Sequence, residues 1–209
     1  MIRLGYRAMT LGAAVTLGAC ASAPLHYYTL IHPAGGYVPT ATRAAIPAQP
    51  AAFKFELLPV AVPPQVDQPQ LVVRSGDQGM QMLEGERWIA PQADEVRGAL
   101  SADLARTLDT QDVTGLPVGN QPVLRIKVDV RRFDSAPGNY ALIDAAWSLR
   151  ALKGEGTLAC TTQVTTQVGA GYDALVQGHQ QLLAQLADQI ASAARPFAEG
   201  QGVRCPVAQ

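Results

Sequence analysis

The sequence predicts an α+β domain: an antiparallel sheet with two long helices packed on one of its faces. Segments in which apolar and polar residues alternate recur between residues 53 and 168, as half-exposed strands require. Two longer segments, 91–108 and 173–194, carry apolar residues at helical spacing. The order along the chain is strands, one helix, three strands and a second helix, which is typical of this fold class.

The first predicted strand lies in residues 27–30, which read Tyr-Tyr-Thr-Leu. Residues 31–52 are rich in Pro, Gly, Ala and Thr without periodicity, which predicts a mobile loop. Residues 53–62 alternate at their start and are followed by the pair Pro63 and Pro64. This pattern predicts a strand that the prolines end.

Residues 71–74 and 80–82 flank a Ser-Gly-Asp-Gln-Gly segment, which predicts a β-hairpin. A helix is expected to begin at Pro91, since proline is favoured in the first helical turn. Its apolar residues recur at intervals of four and would form one buried stripe. They are Val96, Leu100, Leu104 and Leu108. Residues 109–121 are predicted to form a loop.

Residues 124–130 alternate throughout, with the even-numbered apolar side chains expected to face inward. A second long hairpin is predicted to join 140–152 to 157–168 through a Lys-Gly-Glu-Gly turn. The last element is a predicted helix over 173–194, which Pro196 is expected to stop. The outer face of the sheet carries the charged side chains and is expected to meet solvent or a partner.

The first twenty residues have the features of a secretory signal. Residues 1–7 carry two basic side chains and no acid, and 8–19 form a short apolar run. That run is too short to span a bilayer, which takes about 20 apolar residues. It ends in Leu-Gly-Ala-Cys at 17–20, which resembles the lipobox of bacterial lipoproteins. We therefore predict a lipoprotein signal peptide over residues 1–19 and lipidation of Cys20; the alternative is an ordinary signal peptide with an incidental cysteine.

Lipid on Cys20 would make an effectively permanent membrane anchor, because each buried methylene contributes about 0.8 kcal/mol. Ala21, rather than an aspartate, follows the cysteine. By resemblance to enterobacterial sorting, this predicts attachment to the outer membrane, facing the periplasm. Residues 20–52 are then expected to hold the lipidated cysteine, the first strand and a flexible linker, and 53–209 a periplasmic α+β domain.

The composition excludes some classes of function and indicates a disulfide. Sixteen basic and seventeen acidic residues leave a net charge of −1, so no basic field is available to hold nucleic acid. If Cys20 carries lipid, Cys160 and Cys205 remain as a pair in an oxidising compartment. We predict a disulfide between them; the alternative is two unpaired thiols.

The sequence contains no recognisable catalytic pattern. His26, His32 and His179 are not spaced as metal ligands, and the carboxylates are scattered. A nucleophile elbow, a P-loop and a dinucleotide-binding glycine pattern are all missing. We therefore predict a protein that is not an enzyme and that uses no cofactor or metal.

The pair Arg87 and Trp88 admits two interpretations. Tryptophan and arginine together are common anchors in protein interfaces. Alternatively, Trp88 fills the sheet edge under the first helix.

Several segments resemble one known family. They are LPVAVP at 58–63, DQPQLVVR at 67–74 and ERWIAP at 86–91, preceded by the lipobox and the YYTL motif. This pattern is similar to the PqiC-like ABC-type transport auxiliary lipoproteins, although Gln68 stands where that family frequently has arginine. The departure puts any charged contact made at this position in doubt.

The resemblance implies a subunit of an MCE-type lipid transport system. Its partners would be an MCE-domain protein and the inner-membrane permease components, with docking at the outer membrane and possible assembly of a homo-oligomeric ring. Arg74, Arg87 and Trp88 are the expected partner interface. Two alternatives stay open: a standalone periplasmic lipid-binding chaperone, which needs an enclosed apolar cavity, and a periplasmic hydrolase.

Overall fold

The structure, a computed structural model, describes residues 24–33, 50–153 and 156–206. The predicted signal peptide, Cys20 and residues 34–49 of the predicted linker lie outside the described residues. The elements in chain order are β1 (His26–Tyr28), β2 (Lys54–Leu57), β3 (Gln70–Ser75), β4 (Gly79–Trp88), α1 (Gln92–Leu108), β5 (Val123–Ala136), β6 (Tyr140–Ala151), β7 (Thr157–Gln167) and α2 (Tyr172–Ala198).

The strands form two sheets. The first sheet has the order β1-β4-β3 and the second has the order β2-β5-β6-β7. Each sheet is antiparallel except for one parallel edge strand, β1 on β4 and β2 on β5. The α+β class is confirmed, whereas the expected single sheet is divided in two. Alternation identifies which residues form strands, but the choice of neighbouring strand depends on contacts distant in sequence.

The main core lies between the inner face of β5–β7 and the apolar stripe of α2. Leu182, Leu186 and Ile190 on this helix are fully buried, as are Ile126 and Ile143 on the strands. Helix α1 packs beside α2 and buries the predicted stripe of Val96, Leu100, Leu104 and Leu108. Both helices thus bury the apolar faces that their periodicity predicted.

Gly178 is where α2 lies closest to the second sheet. A Cβ atom there would overlap Val168 and would also lie 3.4 Å from the Ala141 Cβ. Glycine is therefore required for this close approach of helix to sheet, although it costs about 1 kcal/mol in a helix relative to alanine.

Several element ends differ from the sequence prediction, among them those of β2 and β4, and two of the differences have a clear local reason. β5 continues past residue 130 to Ala136, and its register shifts between Val130 and Arg132. A shift of this kind reverses the alternation, so the pattern ends while the strand continues. The prediction that Pro196 stops the last helix is wrong, since α2 runs to Ala198. Proline removes only its own N–H group, and the Glu199 N–H still reaches the Arg195 carbonyl.

The C-terminal tail is joined to the second sheet by the Cys160–Cys205 disulfide, with Cα atoms 5.5 Å apart. Cys160 lies on β7 and is buried. The bridge therefore connects the tail to the last strand of the sheet, as predicted from the cysteine count.

A buried histidine connects α2 to β5. The His179 Nε2 lies 2.8 Å from the Ser135 Oγ, and its ring stacks on Phe133 with centroids 3.9 Å apart. Burial lowers the pKa of His179 to about 3. Because the ring is fully buried, this pair of serine and histidine is closed to substrate and holds the helix on the sheet.

We expect His179 to make the protein less stable in mild acid. Its folded pKa lies below the ordinary value of about 6.5, so the unfolded chain binds the proton more readily. The stabilisation that the neutral ring contributes is complete above about pH 6.5, the ordinary histidine pKa. It is lost as the pH falls towards 3, at up to about 1.4 kcal/mol per pH unit. Urea unfolding at several pH values should show that His179→Gln removes this slope, whereas His26→Gln, at an exposed site, keeps it. An unchanged slope in His179→Gln would contradict this assignment.

Candidate functional site

One face of the first sheet is exposed and largely apolar. Leu25 and Tyr27 on the β1 side are 46% and 55% exposed, and Met80 and Met82 on β4 are 46% and 49% exposed. Together with Arg87, these residues define what we call the outer face of the first sheet. Exposed apolar side chains grouped in this way mark a contact surface.

The strand register brings these residues to the same face. Val72 pairs with Met82, and Gln70 pairs with Arg87, so β4 carries an irregularity between these pairs. Paired residues share a face, and residues 70 and 72 share a face because they alternate along β3. The irregularity therefore places Met82 and Arg87 on the same face, although residues five positions apart in a regular strand lie on opposite faces. Tyr27 joins them because it pairs with Arg87.

Arg74 joins this sheet to β5 and does not face solvent freely. Its Nε and one Nη donate to the two carboxylate oxygens of Asp134, each at 2.8 Å. Arg132 donates to the same carboxylate at 2.8 Å. Burial tends to raise the pKa of Asp134, but the hydrogen bonds from the two arginines outweigh it and hold that pKa below its usual value. Arg74 thus fixes the position of the first sheet on the second.

The three residues predicted to form a partner interface do not form one surface. Trp88 is only 6% exposed and lies edge-on against Phe133, with centroids 6.3 Å apart. The second interpretation is therefore right that Trp88 is interior, but β4 is the central strand of its sheet and the ring meets Phe133 of β5. Arg74 pairs with Met80 and so shares the outer face, but its guanidinium is held by Asp134. Arg87 lies on the same face, with its guanidinium 3.9 Å from the Glu84 carboxylate.

The N-terminal segment is packed on the domain. The Tyr28 hydroxyl donates to the Glu86 carboxylate at 2.7 Å, and the His26 Nδ1 lies 3.0 Å from the other oxygen. The hydrogen bonds hold the pKa of Glu86 below its usual value despite burial, which acts in the opposite direction. The Leu30 N–H donates to buried Glu95 at 2.7 Å. The described part of the predicted linker is therefore attached to the first sheet and to α1.

A second candidate surface is the outer face of the second sheet. The alternate residues Lys127, Asp129 and Arg131 of β5 are exposed there, beside the small side chains Ala146 and Thr161. Together they line an open depression of about 600 Å³. Acyl chains need an apolar, enclosed lining, so this charged depression does not favour the lipid-chaperone alternative.

Neither helix in the described ranges has the length and apolarity to cross a membrane. In the same part of the chain, His, Cys, Asp and Glu side chains form no group able to hold a metal ion.

In the described residues, the fold is an α+β module with two exposed sheet faces. Residues 37–191 match the family described as ABC-type transport auxiliary lipoprotein component. The chain belongs to this family, and the resemblance seen in the sequence is confirmed. The family is a transport component and not a known class of enzyme.

Two solved structures show the same fold. One, of a protein described as uncharacterized, is 20% identical with a TM-score of 0.62, and the match covers 81% of this chain and 98% of that one. The other, a protein from Xanthomonas campestris, is 18% identical with a TM-score of 0.57, covering 73% and 88%. A search of curated protein sequences gave no match.

Proposed function

We propose that this chain is an outer-membrane lipoprotein subunit of an MCE-type intermembrane lipid transport system. It faces the periplasm, docks the transport conduit at the outer membrane and so supports membrane integrity. Its partners are an MCE-domain protein and the inner-membrane permease components. Membership of a family of ABC-type transport auxiliary components supports the association with a transporter.

The observation that carries the proposal is the attachment of the N-terminal segment to the domain. Pro24 already lies against Gly85, with its carbonyl 3.6 Å from the position of a Cβ there. Only residues 21–23 separate it from Cys20. Lipid on that cysteine would hold the whole domain at the membrane surface, and such tethering raises the effective concentration of a membrane-bound partner.

We assign the outer face of the second sheet to the protein partner. Its exposed charges alternate in sign along β5, from Lys127 through Asp129 to Arg131. Complementary charges on a partner would set the orientation of docking and speed association. The depression beside them offers space for an anchoring side chain from that partner.

Assembly of several copies into a ring completes the proposal, because one small domain cannot surround a conduit. β7 is the edge strand of the second sheet that can take part, because the outer edge of β2 already pairs with residues 111–113. Exposed strand edges can pair with a second chain. Light scattering of the purified lipoprotein would give the number of copies.

Affinity purification from detergent-solubilised membranes tests the proposal. The wild-type chain should recover the MCE-domain protein and, through it, the permease, because lipid on Cys20 holds the chain at the outer-membrane end of the conduit. The Cys20→Ser chain should keep its fold and disulfide, remain in the soluble periplasmic fraction, and recover these components with a yield at least about tenfold lower. Recovery of the wild-type chain without any ABC transporter component would contradict the proposal.

A further inference from the structure

The proposed docking of the conduit uses the second sheet and leaves the outer face of the first sheet without an assigned contact. It carries Leu25, Tyr27, Met80 and Met82, all more than two fifths exposed. Arg87 lies among them, with its side chain 32% exposed. Ile89, directly after β4, is 61% exposed and donates its N–H to the Tyr28 carbonyl. The face thus combines flexible apolar side chains, one amphipathic aromatic ring and two arginines, of which Arg74 is held by Asp134.

The chain before β1 leads from this face towards Cys20, the predicted site of lipidation. β1 runs parallel to β4, with His26 opposite Glu86 and Tyr28 opposite Trp88. Residues before His26 therefore lead back along β4 in the direction of Met82. Pro24 lies beside Gly85, which agrees with this course.

The length of the connecting chain limits how far the lipid can be from the face. Four residue steps join Cys20 to Pro24. A fully extended chain covers about 3.5 Å per residue, so the two Cα atoms are at most about 14 Å apart. The three residues from Met82 to Gly85 span about 10 Å along a strand. Acyl chains on Cys20 would therefore enter the bilayer close to the two methionines.

We propose that the outer face of the first sheet lies on the membrane surface. Leu25, Met80 and Met82 enter the boundary between headgroups and acyl chains, where apolar side chains on one face of an element bind the interface. Tyr27 places its ring at the headgroup level, where such amphipathic aromatic side chains are favoured. The Arg87 guanidinium donates to lipid phosphate, for which its geometry is suited.

The inference rests on the proposed lipidation of Cys20 and adds an orientation to it. An acyl anchor alone restricts distance and leaves the domain free to rotate. A second contact through a sheet face fixes which side of the domain meets the lipid. The remaining surfaces, including the outer face of the second sheet, are then held in a constant position for the conduit.

Fluorescence quenching in vesicles tests this inference. Lipidated full-length chain carrying Met82→Cys is labelled with a polarity-sensitive dye and reconstituted in vesicles of phosphatidylethanolamine and phosphatidylglycerol. The added thiol is the reactive one, because Cys160 and Cys205 are paired and Cys20 carries lipid. Lipids with a quencher near the headgroup should quench the dye at position 82 severalfold more than in the matched control Gln81→Cys. Gln81 is the exposed neighbour on the opposite face of the same strand.

Four outcomes are distinguishable. Strong quenching at position 82, and at position 27 in Tyr27→Cys, with weak quenching at 81 supports the inference. Equal quenching at 81 and 82 in chains that float with the vesicles overturns the membrane contact and leaves the anchor intact. If the purified chain carries no lipid and does not float with the vesicles, both the membrane contact and the proposed anchoring are overturned. Protection of position 82 by a protein partner instead of lipid would also overturn the inference.

Discussion

Removing the Cys160–Cys205 disulfide should lower the free energy of unfolding by about 4 kcal/mol. The bridge joins residues 45 apart in sequence, and opening a loop of this length increases the entropy of the unfolded chain. The double variant Cys160→Ala with Cys205→Ala is the suitable test, because alanine leaves no unpaired polar group at buried position 160. Its denaturant midpoint should match that of the wild-type chain measured with a reductant.

The matched control is the same double variant with reductant added, which should cause no further change. A loss of less than about 1 kcal/mol would contradict the expectation and would indicate that the unfolded chain is already compact without the bridge. Membrane attachment should be unaffected, because the cysteine predicted to carry lipid is not part of the bridge.

The second large effect is expected from Arg74→Met. The change leaves the buried Asp134 carboxylate with Arg132 and without its bidentate partner, at a cost of about 2 kcal/mol, typical for hydrogen bonds to a charged group. Hydrogen exchange in β3 and β4 should increase more than in β6, because Arg74 joins the first sheet to β5. Arg132→Met is the control, and we expect a smaller loss since that side chain is 49% exposed.

The pH dependence of this effect has a defined sign. The pKa of Asp134 is lowered in the folded protein. Its stabilisation is therefore present above the ordinary aspartate pKa of about 3.9 and is lost as the pH falls through the lowered value. The difference between wild type and Arg74→Met should be largest near neutral pH and should shrink in acid. A difference that stays constant down to strong acid would show that the arginine acts through packing alone.

The parts of the fold that the sequence predicts well are those with local periodicity. The stripe of α1 and the alternation in β5 depend on residues a few positions apart, and both are confirmed. The parallel partners of β1 and β2 depend on contacts between residues such as Tyr27 and Arg87, which are 60 positions apart. No local pattern carries that information.

The outer face of the first sheet shows why the candidate site was only partly predicted. The sequence placed Met80 and Met82 on a hairpin strand, but the irregularity in β4 puts them on the same face as Arg87. By residue type, Trp88 was expected to be a surface anchor. It directly follows Arg87 along β4, however, and its side chain therefore faces the core. When one irregularity interrupts the alternation, a prediction that continues the alternation assigns every later residue to the wrong face. The two methionines beside a glycine-rich turn were the available signal.

We propose that the domain presents its second sheet to a transport conduit while its lipid holds it at the membrane. Site-specific photo-crosslinking in living cells tests it most directly, with the crosslinker at Thr161 on the outer face of the second sheet and, as control, at exposed Gln177 on α2. We expect Thr161 to trap the MCE-domain protein and Gln177 to trap little of it. Equal products from the two positions, or products from Thr161 that contain no transporter component, would contradict the account.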